Sequence, residues 1–175
     1  MSQNTIRSMA LMAAVASTLA IPVETNAAVD MFLKIPDIKG ESQDAEHKDW
    51  IDVLSWSWGL SKDSRGKVCV QDLSLTKWMD SSTPDLIQSM PADTTYRSAE
   101  LNVRRAGTKA SVTLHLMLSG VSVSSVSTGG SGGEDRLTEN ISLNFSELEG
   151  TYTVLRDDGS PGDELEFTVP YSKCN

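Results

Sequence analysis

The clearest signal in the chain is a regular alternation of aliphatic and other residues in its second half. Val112, Leu114, Leu116 and Leu118 occupy every second position from residue 112 to residue 118. Because successive side chains of a strand point to opposite faces, this spacing predicts a strand with one face in the core. The same alternation recurs at residues 101–103, 141–145, 152–154 and 165–171, which predicts several more strands.

The stretch from Asp30 to Gly59 has the pattern of a strand, a long polar loop and a second strand. Its second apolar run ends in Trp56-Ser57-Trp58, so both indoles are expected on one strand face and Ser57 on the other. The indoles are predicted to anchor the core. The intervening loop is richer in charge than a connection between strands requires, which favours a solvated loop or contact with a partner.

One short helix is predicted at residues 81–90. Ser82 or Thr83 can cap its amino terminus, Pro84 fits its first turn, and Pro91 ends it. No other helix-length connection separates the predicted strands, so antiparallel pairing is expected. The fold class predicted is therefore all-β, an antiparallel barrel or sandwich with one short flanking helix.

The first 27 residues predict a cleavable secretory signal. Arg7 precedes an almost wholly apolar segment at residues 9–23, and Thr25-Asn26-Ala27 places small residues at the two positions that a signal peptidase reads. The competing interpretation is a helix of the folded domain. The apolar segment is shorter than the ~20 residues of a membrane span, so stable membrane insertion is not expected. Residues 28–175 would then form a single domain.

Charge and motifs exclude several functions. The chain has 15 Lys and Arg against 24 Asp and Glu, a net charge of -9, whereas nucleic-acid binding depends on clustered cations. His47 and His115 lie apart, with no nucleophile motif, and the acids around His47 lack calcium-loop spacing. His47 by itself is more typical of a solvated loop histidine than of a metal ligand or a general base. We expect no enzyme, no metal, no cofactor and no nucleic-acid partner.

Cys69 and Cys174 are the two cysteines of the chain. In an oxidising compartment they could form a disulfide, and two unpaired thiols suit the sequence equally well, because spacing along a chain does not give the distance between sulfur atoms. Both alternatives stay open at this point.

Three segments resemble the haemolysin-coregulated protein family, Hcp, whose members form the tube of bacterial type VI secretion. AVDMFLKIPDIKGESQDAEHKDWIDVLSWSWG, at residues 28–59, and SSVSTGGSGGEDRLTENISLNF, at residues 124–145, are similar to the family over their whole length. VQDLSLTKWMDSSTPDLI, at residues 70–87, is similar to a third block. The resemblance extends from about residue 28 to residue 152.

The resemblance implies a β-barrel, a homohexameric ring, and rings stacked into a hollow tube. It also implies contact with a spike protein at the tip, small protein effectors in the lumen, and no catalytic residues. Ser57 matches a position that faces the lumen. The matching loop would contact a neighbouring subunit or ring, and its candidate interface residues are Gly40, Glu41, Ser42, Asp44, His47 and Asp49.

Two features depart from the family. Residues 61–67 are short and charged where members often carry a glycine-rich insertion, and such tubes assemble in the cytoplasm without a secretory signal. Two hypotheses for the function therefore remain. The first is an exported structural protein that forms rings and tubes, expected outside the cell, with the periplasm as an alternative. The second is an exported Hcp-like binding protein that uses its loops and takes no part in a cytoplasmic tube.

Overall fold

The computed structural model describes residues 29–106, 111–133 and 135–170. These ranges contain ten strands and one helix, and all strand pairs are antiparallel. The elements, in chain order, are β1 Val29–Lys34, β2 Ile51–Ser57, β3 Leu60–Lys62, β4 Val68–Val70, β5 Leu73–Trp78, α1 Thr83–Ser89, β6 Thr95–Arg105, β7 Ser111–Gly129, β8 Thr138–Asn144, β9 Glu147–Leu155 and β10 Pro161–Pro170. The predicted all-β fold class is confirmed.

Six strands close a barrel in the order β7, β6, β1, β2, β5 and β8, with β8 returning to β7. Closure is possible because β7 is 19 residues long. One edge of β7 pairs with β6 from Ser111 to Ser122, and the other edge pairs with β8 from Ser122 to Gly129. Gly120 lies in the middle of β7 with a φ of 59°, which glycine adopts without a steric penalty.

Strand β9 continues β8 along the same edge of β7. The register passes without a shift from the pair Ser122 and Asn144 to the pair Ser119 and Glu147, so β8 and β9 act as one long strand. Among the described strands, β10 pairs only with β9. We call β9 and β10 together the flange, because they extend the sheet beyond the closed barrel.

The inward side chains of neighbouring strands fill the barrel. Leu33 pairs with Leu101, and Leu101 with Leu116, and all three are fully buried. Burial of each such side chain contributes roughly 1.5–3 kcal/mol to folding. Trp56 and Trp58 are partly buried and pack against this core.

A buried ion pair lies at the end of the barrel beside α1. Lys77 and Glu139 face each other across β5 and β8, both fully buried, with Lys77 Nζ 2.6 Å from Glu139 Oε1. Lys77 Nζ also donates to Asp80 Oδ1 at 2.8 Å, and the Thr83 hydroxyl donates to Glu139 Oε1 at 2.9 Å. These bonds tie the first residue of the helix to the barrel wall. This pair was not predicted from the sequence.

Two features of the helix differ from the prediction, and one small sheet was not predicted. Residues 60–62 form β3, which pairs with β4 in a separate two-stranded sheet. The helix is shorter than residues 81–90. Ser82 stands at its N-cap without a side-chain capping bond, because its hydroxyl donates to Asp80 Oδ1 instead.

Two predictions from the sequence involve residues outside the described ranges and are still predictions. Cys69 is buried in β4 and is not a free thiol, whereas Cys174 lies outside the described residues, so their pairing is still to be tested. The expected signal at residues 1–27 also lies outside the described ranges. Within those ranges, no helix is long and apolar enough to cross a membrane.

We expect Lys77→Met to destabilise the protein by roughly 3–5 kcal/mol, because the buried carboxylates of Glu139 and Asp80 would be left without their cation. Lys62→Met, on the exposed strand β3, is the matched control and should change stability by no more than about 0.5 kcal/mol. Urea unfolding followed by tryptophan fluorescence measures both. Equal stability of the two variants would show that the buried pair is not needed.

Candidate functional site

A polar surface covers the outside of β2, β5, β8 and the second half of β7, and its two central rows carry no charged side chain. We call it the polar face. Strand register places its side chains in two rows of four, one on each of these strands. The rows consist of Ser57, Ser74, Ser142 and Ser125, and of Ser55, Thr76, Asn140 and Ser127.

The polar face follows from strand geometry. Leu75 and Ile141, which alternate with its side chains, are buried at 2% and 1% exposure, so the positions between them must point outward. Neighbouring side chains bond across the strands, with Ser74 Oγ 3.2 Å from Ser142 Oγ and the Thr76 hydroxyl donating to Asn140 Oδ1 at 2.7 Å. The face is therefore an ordered wall of donors and acceptors.

Ser57 lies in this wall, on the face opposite the indole of Trp56, as the strand pattern predicted. A shallow depression beside it is lined by serines of three strands. At one end of the face, Arg136 stands over the Trp78 ring at 5.0 Å from its centroid. The other members of the wall were not predicted from the sequence. Small polar residues at alternate positions of β5 and β8 were the available signal.

A second polar structure covers the opposite side of the barrel. We call residues 40–50 the strap, because they fold over the outward side chains of β1 and β6. Gly40 allows the strap to close: its N–H donates to Asp49 O at 2.9 Å, and a Cβ at Gly40 would lie only 2.3 Å from Trp50 O. Ser42, 1% exposed, donates its N–H to Trp50 O at 3.0 Å.

Asp44 anchors the strap to the barrel. Arg104 of β6 donates to both of its carboxylate oxygens, at 3.1 and 2.6 Å, and also to Asp30 at 3.0 Å. The ring of His47 approaches Asp44 Oδ1 at 2.9 Å. The hydrogen bonds from Arg104, and then the one from His47, hold the pKa of Asp44 well below its ordinary value. The same pairing raises the pKa of Arg104.

His47 is buried, so the expectation of a solvated loop histidine is wrong. Its ring is stacked on Phe32 with centroids 4.2 Å apart, meets the edge of Trp50 at 4.8 Å, and contacts the Asn102 amide at 3.1 Å. Only 3% of the residue is exposed. His47 therefore packs between the strap and the barrel.

The predicted interface residues thus divide into two groups. Gly40, Ser42 and His47 are buried within the subunit, and Asp44 is bonded to Arg104. Glu41 and Asp49 are exposed, although Glu41 accepts a bond from the Ser81 N–H at 3.0 Å. The interface role of the strap stays a prediction, and its exposed residues are the ones that could make the contact. Among the described residues, no group of three or more His, Cys, Asp or Glu could hold a metal ion.

The closed six-stranded antiparallel barrel with the short flanking helix α1 defines the class of protein, which is an all-β barrel. The family model described as "Type VI secretion system effector, Hcp" matches residues 32–152. Protein hcp1 of Pseudomonas aeruginosa is 50% identical over 143 residues, which are 76% of this chain and 88% of that protein. The chain therefore belongs to the Hcp family of the type VI secretion system.

Solved structures agree with this assignment. A type six secretion system protein superposes with a TM-score of 0.78 at 26% identity, covering 82% of this chain and 96% of that chain. Hcp1 from Salmonella typhimurium superposes with a TM-score of 0.72 at 30% identity, covering 82% of this chain and 95% of that chain. The resemblance noted in the sequence is thus confirmed for both family and fold, and these similarities support a structural role as a tube protein.

Acid should weaken the strap. Asp44 has a lower pKa in the folded protein than in the unfolded chain, so its stabilising effect is present above the ordinary value of 3.8 and is lost as the pH falls below it. We expect Asp44→Asn to cost about 2 kcal/mol at pH 7. The variant should also lose less stability than the wild type between about pH 5 and pH 2.

Urea unfolding at a series of pH values measures this difference. Glu46→Gln is the matched control, because Glu46 lies in the same strap, 3.6 Å from Arg104, but is 74% exposed. The control should keep the pH dependence of the wild type. Parallel pH profiles for Asp44→Asn and the wild type would contradict the assigned role of Asp44.

Proposed function

We propose that this protein is the subunit of a homohexameric ring, that the rings stack into a hollow tube, and that the polar face lines the lumen. The observation that carries this proposal is the double row of eight uncharged polar side chains on one side of the barrel. A chain with a net charge of -9 that keeps both of these rows free of charge suits a wet channel shared by several copies. Family membership supports the same arrangement.

The polar face favours small protein effectors as cargo. Its hydroxyl and amide groups can exchange hydrogen bonds with a protein surface, and each such bond contributes only about 0.5–1.5 kcal/mol net. A cargo held in this way is released when the lumen opens. A spike protein at the tip of the tube is the further partner that the resemblance implies.

The tube proposal is tested with the purified full chain. Electron microscopy and light scattering should show rings at micromolar concentration, and a monodisperse monomer would contradict the proposal. Ser57→Phe should leave the rings intact, since residue 57 is exposed on the wall, and reduce co-purified cargo about tenfold or more, equivalent to ~1.4 kcal/mol. Ser64→Phe, in the exposed turn between β3 and β4, is the control and should retain cargo.

An exported Hcp-like binding protein is the second candidate. The observation that favours it is the apolar segment at residues 9–23, which precedes the family match at residues 32–152. A protein exported through such a signal would leave the cytoplasm before it could join a tube there. The Ser57→Phe variant would then still bind a partner held by the loops, whereas it would lose cargo held in the lumen.

We expect the exported protein to begin at Ala28, because the small residues that a signal peptidase reads end at Ala27. Amino-terminal sequencing of protein recovered outside the cytoplasm tests this. A chain that still begins at Met1 would show that the segment is not processed, and the cytoplasmic tube would then be the simpler function.

A further inference from the structure

Cys69 lies in β4 of the small two-stranded sheet and is disulfide-bonded. Its side chain is buried, and the neighbouring Val70 belongs to the barrel core. The described part of the chain contains no other cysteine, and the full sequence contains one more, Cys174. The sulfur of Cys69 therefore has a single candidate partner within the chain.

We infer that Cys69 and Cys174 form a disulfide within one chain, and that this bond is a redox-dependent clasp. The clasp fastens the segment that follows β10 to strand β4. Since it needs one chain only, the inference goes beyond the proposed tube function and does not depend on it.

The second half of β10 lies near enough to β4 for this bond. The ring of Phe167, in β10, is stacked on the ring of Trp58 with centroids 6.4 Å apart. The carbonyl of Gly59, the next residue, accepts a bond from the Gln71 N–H at 3.0 Å, directly after β4. Cys174 follows Phe167 by seven residues, and an extended chain of that length spans up to about 24 Å. The short connection through Trp58 lies within this reach.

The clasp restrains the outer strand of the flange. Among the described strands, β10 pairs only with β9, whereas β9 pairs with both β10 and β7. Val169 packs against the core, but most of β10 is exposed. A strand with one neighbour and few buried side chains opens more easily than a central strand. A covalent bond beyond its end limits that opening.

The bond forms by thiol–disulfide exchange with a protein thiol oxidase. One cysteine thiolate attacks the oxidant's disulfide to give a mixed disulfide, and the second thiolate then displaces the oxidant's sulfur. The oxidant leaves as a dithiol, having taken up two electrons and two protons from the thiols of this protein. Such oxidants act in secretory compartments, whereas cytosolic reductants keep thiols reduced.

The clasp therefore closes in a chain that has left the cytoplasm and stays open in one that folds there. The apolar segment at residues 9–23, which predicts a secretory signal, points to the same oxidising compartment. Two separate features of the chain, one at each end, thus agree on where it folds.

The pairing is tested on three full-length proteins: the wild type, Cys174→Ala and the control Ser172→Ala. Each is unfolded, refolded in a buffer of reduced and oxidised glutathione, alkylated and digested with trypsin. The wild type and Ser172→Ala should yield residues 68–77 linked to residues 174–175, and reduction should separate the two peptides. Alkylated thiols at both positions, or a bond that joins two chains on a non-reducing gel, would overturn the inference.

Urea unfolding gives a second readout, which measures what the clasp contributes. The bond closes a loop of about a hundred residues, so its loss should raise the unfolding equilibrium constant roughly a hundred- to a thousandfold. Cys174→Ala and the reduced wild type should show the same loss, and Ser172→Ala should show none. Reductant should leave Cys174→Ala unchanged. Equal stability of the oxidised and reduced wild type would show that the bond does not act as a clasp.

Discussion

The double pairing of β7 is the constraint on which the rest of the structure depends. Because β6 occupies one edge of this strand and β8 with β9 occupies the other, the sheet closes on itself and every strand acquires an inside and an outside. Alternate side chains are then committed to the core or to the surface. The polar face and the strap over β1 and β6 are two consequences of this single closure.

Closure also explains why the polar wall is ordered although each of its hydrogen bonds contributes little free energy. The backbone beneath Ser74 and Ser142 is fixed by the ladder between β5 and β8, and Leu75 and Ile141 lock that ladder to the core. The hydroxyl groups therefore lie at set positions, but each hydrogen bond that they offer replaces one to water and gains little. With no charge in either row, polar contacts to this wall should depend little on salt. These properties agree with the cargo role that we propose for it.

Much of this arrangement could be predicted from the alternation of residues alone. The aliphatic positions around Leu116 gave the central strand, and the spacing of Trp56, Ser57 and Trp58 gave their opposite faces. The sequence could not show which edges of β7 would be paired, because register and partner choice depend on contacts between distant segments. It therefore could not separate a barrel from a sandwich. For the same reason, the wall around Ser57 can be recognised only from the register of four neighbouring strands.

Charge was the least reliable guide, for a physical reason. A charged residue is expected at the surface unless a partner compensates it, and partners distant in sequence cannot be read from a chain. Lys77 lies in the barrel because Glu139, from another strand, faces it at 2.6 Å. The sequence pattern predicted a solvated loop for Asp44 and His47. They lie over the barrel because Arg104 bonds to Asp44 and the Asn102 amide contacts His47. The strap therefore uses these charged groups within one subunit, and the side chains that it leaves exposed, such as those of Glu41 and Asp49, are the ones that remain for solvent or a partner.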